Sequence, residues 1–190
     1  MPRREPQQDL SDFPARILAA GTALHRISRA GRSPWWFSCD GSGRFDLPAP
    51  HGTCYFAEDP LGALLEVTRG LTLLSEAFLD SRRLITTTLP RPLRIADLSA
   101  AAAYGYGVTG ELSATADYTL PHSWAQELHA AGFTGAHYRI RHDPRANLTG
   151  IAWFGRAGRW SHPPTSTRRP LPAGLLLDAA PFGIRVAADL

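Results

Sequence analysis

The sequence predicts a single-domain α+β fold, and three features carry that expectation. Strand-like and helix-like segments are mixed along the 190 residues without regular strand–helix–strand alternation. No internal repeat is present. The length and a 44% hydrophobic content suit one sizeable core.

The elements follow in order. Residues 1–22 read as a loose polar arm, Met1 to Ser11, and a short helix over Asp12 to Ala20 with Phe13, Ile17 and Leu18 on its apolar side. Ala23 to Ile27 reads as a strand whose alternation sends Leu24 and Arg26 one way and Ala23, His25 and Ile27 the other. The tryptophans of Ser33–Phe37 read as core or rim packing, with the lining of a ligand cleft as the alternative. Cys39–Gly43 (CDGSG) is a turn by composition and continues into neither a Walker pattern nor a GxGxxG run. Arg44–Asp46 reads as the start of an extended piece, Leu47–Gly52 as a Pro-rich loop and Thr53–Ala57 as a strand. Asp59-Pro60 marks a helix start, because aspartate caps and proline at the first helical position loses no useful donor. That helix runs to about Arg69 and stops at Gly70. Further strands are expected at Arg83–Leu89 and Leu93–Leu98, and a helix at Pro121–Ala131 with Gly132 as its terminator. Gly135–Ile140 and Leu148–Phe154 read as paired strands joined by Arg141–Asn147. Residues 161–190 read as a Pro-rich connection, Ser161–Ala173, and a final hairpin over Gly174–Ala187 packing on the same domain.

Composition narrows the function. All 20 basic residues are arginine, and the formal charge is +3. Arginine presents a planar fork suited to bidentate phosphate recognition. The arginines are scattered and form no stripe of the kind nucleic-acid binders carry, so an anionic small molecule fits at least as well as nucleic acid. No run reaches the roughly 20 apolar residues that span a bilayer. The N-terminus lacks the apolar segment of a signal peptide, so a soluble, cytoplasmic protein without a membrane partner is expected. Cys39 and Cys54 form no CxxC and read as reduced, semi-buried thiols; neither HExxH nor another metal-ligand spacing appears.

The chemistry concentrates in Gly43–Arg69. Arg44, Tyr55 and Glu66 fall on consecutive elements and are candidates for one pocket. A guanidinium suits phosphate, and a tyrosine ring stacks on a heteroaromatic base while its hydroxyl orients a ribose. A carboxylate stabilises positive charge growing on a sugar carbon during glycosidic cleavage. Gly62 and Ala63 lie one turn before Glu66, which would leave room for a bulky group on that face; the plainer reading is an exposed glutamate beside small residues. Among the histidines, His25 reads as facing core or cleft and His51 as exposed in a loop. His137 and His142 read as parts of a surface strand and loop, or as the edge of a site.

Taken together, LHRI, GRF and YFAEDPLGALLE resemble the RES domain family. The matching elements are Arg26, Gly43-Arg44-Phe45, Tyr55-Phe56-Ala57 and Ala63-Leu64-Leu65-Glu66. Gly132–Phe154 resembles the family's distal strand pair, and the resemblance spans roughly residues 23–155 within a catalytic unit expected at 23–160. It implies mixed sheets with flanking helices, as in ADP-ribosyltransferases. It also implies NAD⁺ as a substrate, with no separate cofactor, cleaved at the nicotinamide–ribose bond with phosphate or water as acceptor. It further implies a toxin of a toxin–antitoxin pair, blocked by a helix-turn-helix antitoxin. Carried over by residue, Arg26 and Arg44 would hold the pyrophosphate or ribose side, Tyr55 would pack on the nicotinamide end, and Glu66 would stabilise the oxocarbenium-like transition state or orient the acceptor. One departure stands out: in the Tyr-Pro-Ser-Arg type run of the family, Ile140 takes the place of the serine. Arg139, His137 or a serine elsewhere is then expected to substitute. Two alternatives stay open: transfer of ADP-ribose to a macromolecule such as nucleic acid, and a nucleotide-binding module with weakened chemistry.

Overall fold

The computed structural model describes residues 9–187. The expected polar arm lies mostly outside the described residues. In chain order the elements are β1 (Ala15–Leu18), β2 (Ala23–Arg29), β3 (Trp36–Phe37), β4 (His51–Ala57), α1 (Pro60–Thr68), β5 (Leu73–Ser75), α2 (Glu76–Asp80), β6 (Arg82–Thr88) and β7 (Leu93–Asp97). A 3₁₀ turn (Ala101–Tyr106) then leads to α3 (Glu111–Ala114), α4 (Thr119–Ala130), β8 (Gly135–Arg139) and β9 (Thr149–Arg156). The described residues close with β10 (Gly158–Arg159), β11 (Ser166–Arg169), α5 (Ala173–Ala179), a 3₁₀ turn (Ala180–Phe182) and β12 (Arg185–Ala187).

Eight strands form one mixed sheet in the order β1-β7-β8-β9-β4-β2-β6-β11, all antiparallel neighbours except β7 and β8. β4 pairs with β9 along its whole length, but it pairs with β2 only at His25 opposite Ala57. The sheet is therefore weakly joined between β2 and β4, and α1 packs against both strands at that joint. Alternation along the strands feeds separate cores. Ile151 and Trp153 of β9 join Trp35, Phe37 and Phe56 on one side. Ala152 and Phe154 join Phe13, Phe45, Trp124 and Leu128 on the other. A third cluster sets Leu64 and Leu65 of α1 against Ile27, Leu84, Ile140 and Leu175. Of the two adjacent tryptophans, Trp35 is buried among Phe56, Trp153 and Trp160, and Trp36 is exposed. Cys39 and Cys54 are free thiols. No described helix is long and apolar enough to cross a membrane.

Three local expectations are corrected. Asp12–Ala20 is not helical: Ala15–Leu18 is the edge strand β1, paired with β7. Pro14 biases Phe13 toward extended backbone, and Phe13 and Leu18 are buried in different cores while Ile17 stays 69% exposed. Arg44–Asp46 is a turn, not a strand. The Asp46 carboxylate accepts from Gly43 N at 3.0 Å, Ser38 Oγ at 2.9 Å and Tyr55 Oη at 2.7 Å, which curls the backbone around it. Gly174–Ala187 is not a hairpin: it is α5, a 3₁₀ turn opened by Pro181 and β12, which runs parallel to β5. Leu175 and Ala179, one turn apart, are buried and Leu177 is exposed, so the apolar run follows helical periodicity. The connection before it carries β11, which extends the main sheet beside β6.

Candidate active site

Helix α1 is placed by its own sequence. Asp59 accepts from Leu61 N at 2.7 Å and Pro60 opens the first turn. The helix closes on Arg69, whose φ of 51° puts a non-glycine residue in the left-handed region before Gly70 does the same at 87°. Such a conformation at an arginine costs free energy and places its side chain beyond the helix end. Below the helix, at the β2–β4 joint, lies a cleft of about 400 Å³.

Arg26 of β2, Arg44 of the turn, Tyr55 of β4, and Ala63 and Glu66 of α1 all line this cleft. Gly62 does not. A Cβ there would meet Ile140 Cδ1 at 2.7 Å and Ala57 Cβ at 3.2 Å, so the glycine allows α1 to lie directly on the sheet. Gly62→Ala is expected to destabilise the fold by about 1–3 kcal/mol through overpacking. Thermal unfolding of that variant, with partial recovery in Gly62→Ala/Ile140→Val, checks this. Ile140 itself is buried in the core under α1, so the position aligned with the family's serine does not open on the cleft. Neither Arg139 nor His137 lines the cleft; Ser42 brings a hydroxyl to it.

Arg44 is anchored from far along the chain. Its Nη1 donates to Thr115 O at 2.7 Å and Leu112 O at 3.3 Å, and its guanidinium lies 4.8 Å from the centre of the Tyr118 ring. Arg26 donates through Nη1 to Pro34 O and to Cys54 Sγ, each at 2.8 Å. The Tyr55 hydroxyl donates to Asp46 and accepts from Phe45 N at 2.9 Å, so its hydrogen-bonding capacity is spent on the turn and its ring is what it offers the cleft. Gly43 makes this possible, because a Cβ there would overlap Asp46 Oδ1 and lie 2.5 Å from Tyr55 Oη.

Sequence reading did not single out Arg69, Tyr118, Tyr138 or Arg141 as site residues, yet all line the cleft; of the two histidines read as a possible site edge, His142 lines it and His137 does not. Tyr138 alternates inward from β8, and its ring fills the space that a Cβ at Gly150 would take. The Arg141-His142 pair belongs to the β8–β9 turn, and the Arg of the Tyr-x-x-Arg run was the available signal. Arg26, Arg44, Arg69 and Arg141 thus share the cleft with one carboxylate, Glu66. Burial raises the Glu66 carboxyl above its ordinary range, with Arg44 and Arg69 opposing the rise. Among the described residues Glu66 accepts no direct hydrogen bond. Burial lowers the Arg44 guanidinium from its usual value, with Arg141 adding to the effect. Burial, then Arg141, Arg44 and Arg69, push His142 toward its neutral form. Burial also holds the Tyr55 and Tyr138 hydroxyls protonated, aided by Asp46 and Glu66 respectively.

His137 belongs to a separate, buried network. Its Nε2 lies 3.0 Å from Glu58 Oε2, and its Nδ1 lies 3.0 Å from Asp97 Oδ1 and 3.1 Å from Ser99 Oγ. Arg16 Nη2 donates to Glu58 at 2.8 Å, and Thr149 Oγ1 donates to it at 2.5 Å. These contacts tie β1, β7, β8 and β9 to the residue that follows β4. His25 instead reaches the cleft edge, with Nδ1 3.0 Å from Thr86 Oγ1. His51 is exposed as expected, but it opens β4 instead of lying in a loop, and its ring packs at a tilt against His129 with centres 4.4 Å apart.

The family model of the RES domain matches residues 23–153, more than half of the chain. The chain belongs to the RES domain family. Among solved structures it is similar to a chain in the crystal structure of the M. tuberculosis MbcT–MbcA toxin–antitoxin complex, with a TM-score of 0.58 and 17% sequence identity. That match covers 81% of this chain and 87% of the other, and at this identity it speaks to the fold. No curated protein matches the sequence. The RES segment runs from β2 to β9 and so contains every cleft residue named above.

Proposed function

We propose that this RES domain cleaves the nicotinamide–ribose bond of NAD⁺. The observation that carries the reading is Glu66: a half-buried carboxylate without a direct partner among the described residues, in a cleft whose lining also holds four arginines and no second carboxylate. Charge complementarity orients the substrate. The arginines suit the diphosphate, and the lone carboxylate suits the cationic end of the molecule. As the bond from C1′ to the pyridine nitrogen breaks, its electron pair leaves with the ring and neutral nicotinamide departs. The ribose carbon becomes oxocarbenium-like, and the Glu66 carboxylate stabilises that charge in a poorly solvated site where the interaction is strong. Tyr55 and Tyr138 contribute rings with neutral hydroxyls, so they add no competing anion. An acceptor then attacks C1′. Water gives ADP-ribose and a proton; inorganic phosphate gives its 1-phosphate.

The reading extends to biological role. RES membership and the fold shared with a chain of a toxin–antitoxin complex support a toxin, held inactive by an antitoxin that occludes the cleft mouth. Incubation with NAD⁺ labelled in its adenylate phosphate, with and without inorganic phosphate, tests the chemistry. Label in free ADP-ribose or its phosphorylated form is the expected result. Label fixed on protein or nucleic acid would replace this reading with macromolecular transfer.

Arg44→Ala is expected to raise the KM for NAD⁺ about tenfold or more, by loss of charge-assisted hydrogen bonds to phosphate, with a smaller effect on kcat. Steady-state kinetics check this. An unchanged KM removes Arg44 from phosphate binding.

A further inference from the structure

A second cavity of about 440 Å³ lies between the 3₁₀ turn, α3 and the end of β8. It meets the catalytic cleft at Arg141, which lines both. Resting on the NAD⁺ reading above, we infer that this cavity holds the adenylate half of the dinucleotide, with Arg141 as the joint between the two halves.

Size is the first argument. The cleft, at about 400 Å³, is near the low end of the range for ligand pockets, about 300–1,000 Å³, and a dinucleotide carries two nucleoside halves. If the nicotinamide riboside and the diphosphate occupy the cleft, the adenosine must leave it, and Arg141, which lines both, marks the second cavity as an adjoining place for it. Chemistry is the second argument. Leu98 and Val108 are buried and give the cavity an apolar floor. Tyr104 stands at its edge with 76% of its surface exposed, so its ring is open to stacking by a flat partner. Thr109 and Ser113 bring hydroxyls to this floor, while that of Ser99 is held by Asp97 and His137. Charge is the third. Arg139 is tied across the rim to Ala146 O at 3.2 Å and Ser99 O at 3.5 Å. Arg141 makes no direct hydrogen bond or ion pair among the described residues, and its charge reaches Arg44 and His142. A cation free at the junction of two cavities suits a phosphate joining two nucleosides.

Titration of AMP into the folded chain by calorimetry tests the subsite without any need for turnover. AMP is expected to bind, and Tyr104→Ala and Ser113→Trp are each expected to weaken that binding about tenfold, the first by lost base stacking and the second by filling the cavity. In parallel, the ratio of kcat/KM for NAD⁺ to that for nicotinamide mononucleotide, which has the same scissile bond and lacks the adenylate, is expected to fall about tenfold in both variants. AMP that fails to bind, or binds the folded variants as it does the wild type, overturns the inference. So does a ratio that does not move. A wild-type chain that binds AMP here and leaves NAD⁺ intact contradicts the proposed reaction and leaves a purine nucleotide site standing.

Discussion

Glu66→Gln is expected to slow nicotinamide release from NAD⁺ by about 10²–10³-fold while raising the melting temperature at neutral pH. The first effect follows from the loss of the negative charge that opposes the oxocarbenium-like ribose. The second follows from burial. The folded state holds the Glu66 carboxyl above its ordinary value of 4.5, so it binds a proton more readily than the unfolded chain. Ionised Glu66 therefore lowers stability as pH rises through that raised value, and neutral glutamine escapes the penalty. The stability gain of Glu66→Gln is thus larger at pH 7 than at pH 4. Activity has the opposite dependence, falling in the wild type as acidification protonates Glu66. Melting curves at the two pH values, set beside a pH–rate profile, check both signs. A site that loses stability to keep a charge available for chemistry shows this pairing.

Glu58→Ala is expected to do the reverse, destabilising the fold by about 2–3 kcal/mol with no residue of the cleft removed. The variant leaves buried His137 without the partner of its Nε2 and strips Arg16 and Thr149 of their acceptor. In a chain of this size that loss corresponds to a fall in melting temperature of about 4–12 °C. Its pH dependence follows from the wild-type carboxylate, which hydrogen bonding to His137 holds down to about 2 against an ordinary 4.5. A lowered value contributes stability above 4.5 that disappears as pH falls from there toward 2. The gap between wild type and Glu58→Ala should accordingly close on acidification. Chemical denaturation at pH 7 and pH 3.5 measures it, and a gap of equal size at both would remove the ionised carboxylate from the account.

What local chemistry decides was legible from the residues. Asp59-Pro60 starts α1 because capping acts within one turn, and the alternation of β2 and β4 sets Arg26 and Tyr55 beside the cleft. The helix carries Glu66 to the same place. What packing at long range decides was not. Nothing near Arg44 announces that the carbonyls of Leu112 and Thr115 will fix its guanidinium. Gly62 looked like space for a ligand and is space for Ile140, because only the assembled fold brings that residue, just past β8, against α1. Ile140 looked like a missing hydroxyl and is a core residue. Ala15–Leu18 became a strand because β7 had a free edge, and the LLLDA run became a helix because α1 offered an apolar face; tertiary context outweighs weak local preference in both. Arg69 and Arg141 were hidden for a related reason, since a left-handed backbone angle and a turn aim them, not a periodic element.

In the proposed reaction, one unpartnered carboxylate in an arginine-lined cleft promotes cleavage of an N-glycosidic bond. Chromatographic measurement of nicotinamide released from NAD⁺ by the purified wild-type chain tests it most directly. Nicotinamide is expected in amounts equal to the NAD⁺ lost. NAD⁺ recovered intact after prolonged incubation with folded protein, in phosphate and in phosphate-free buffer alike, would contradict it.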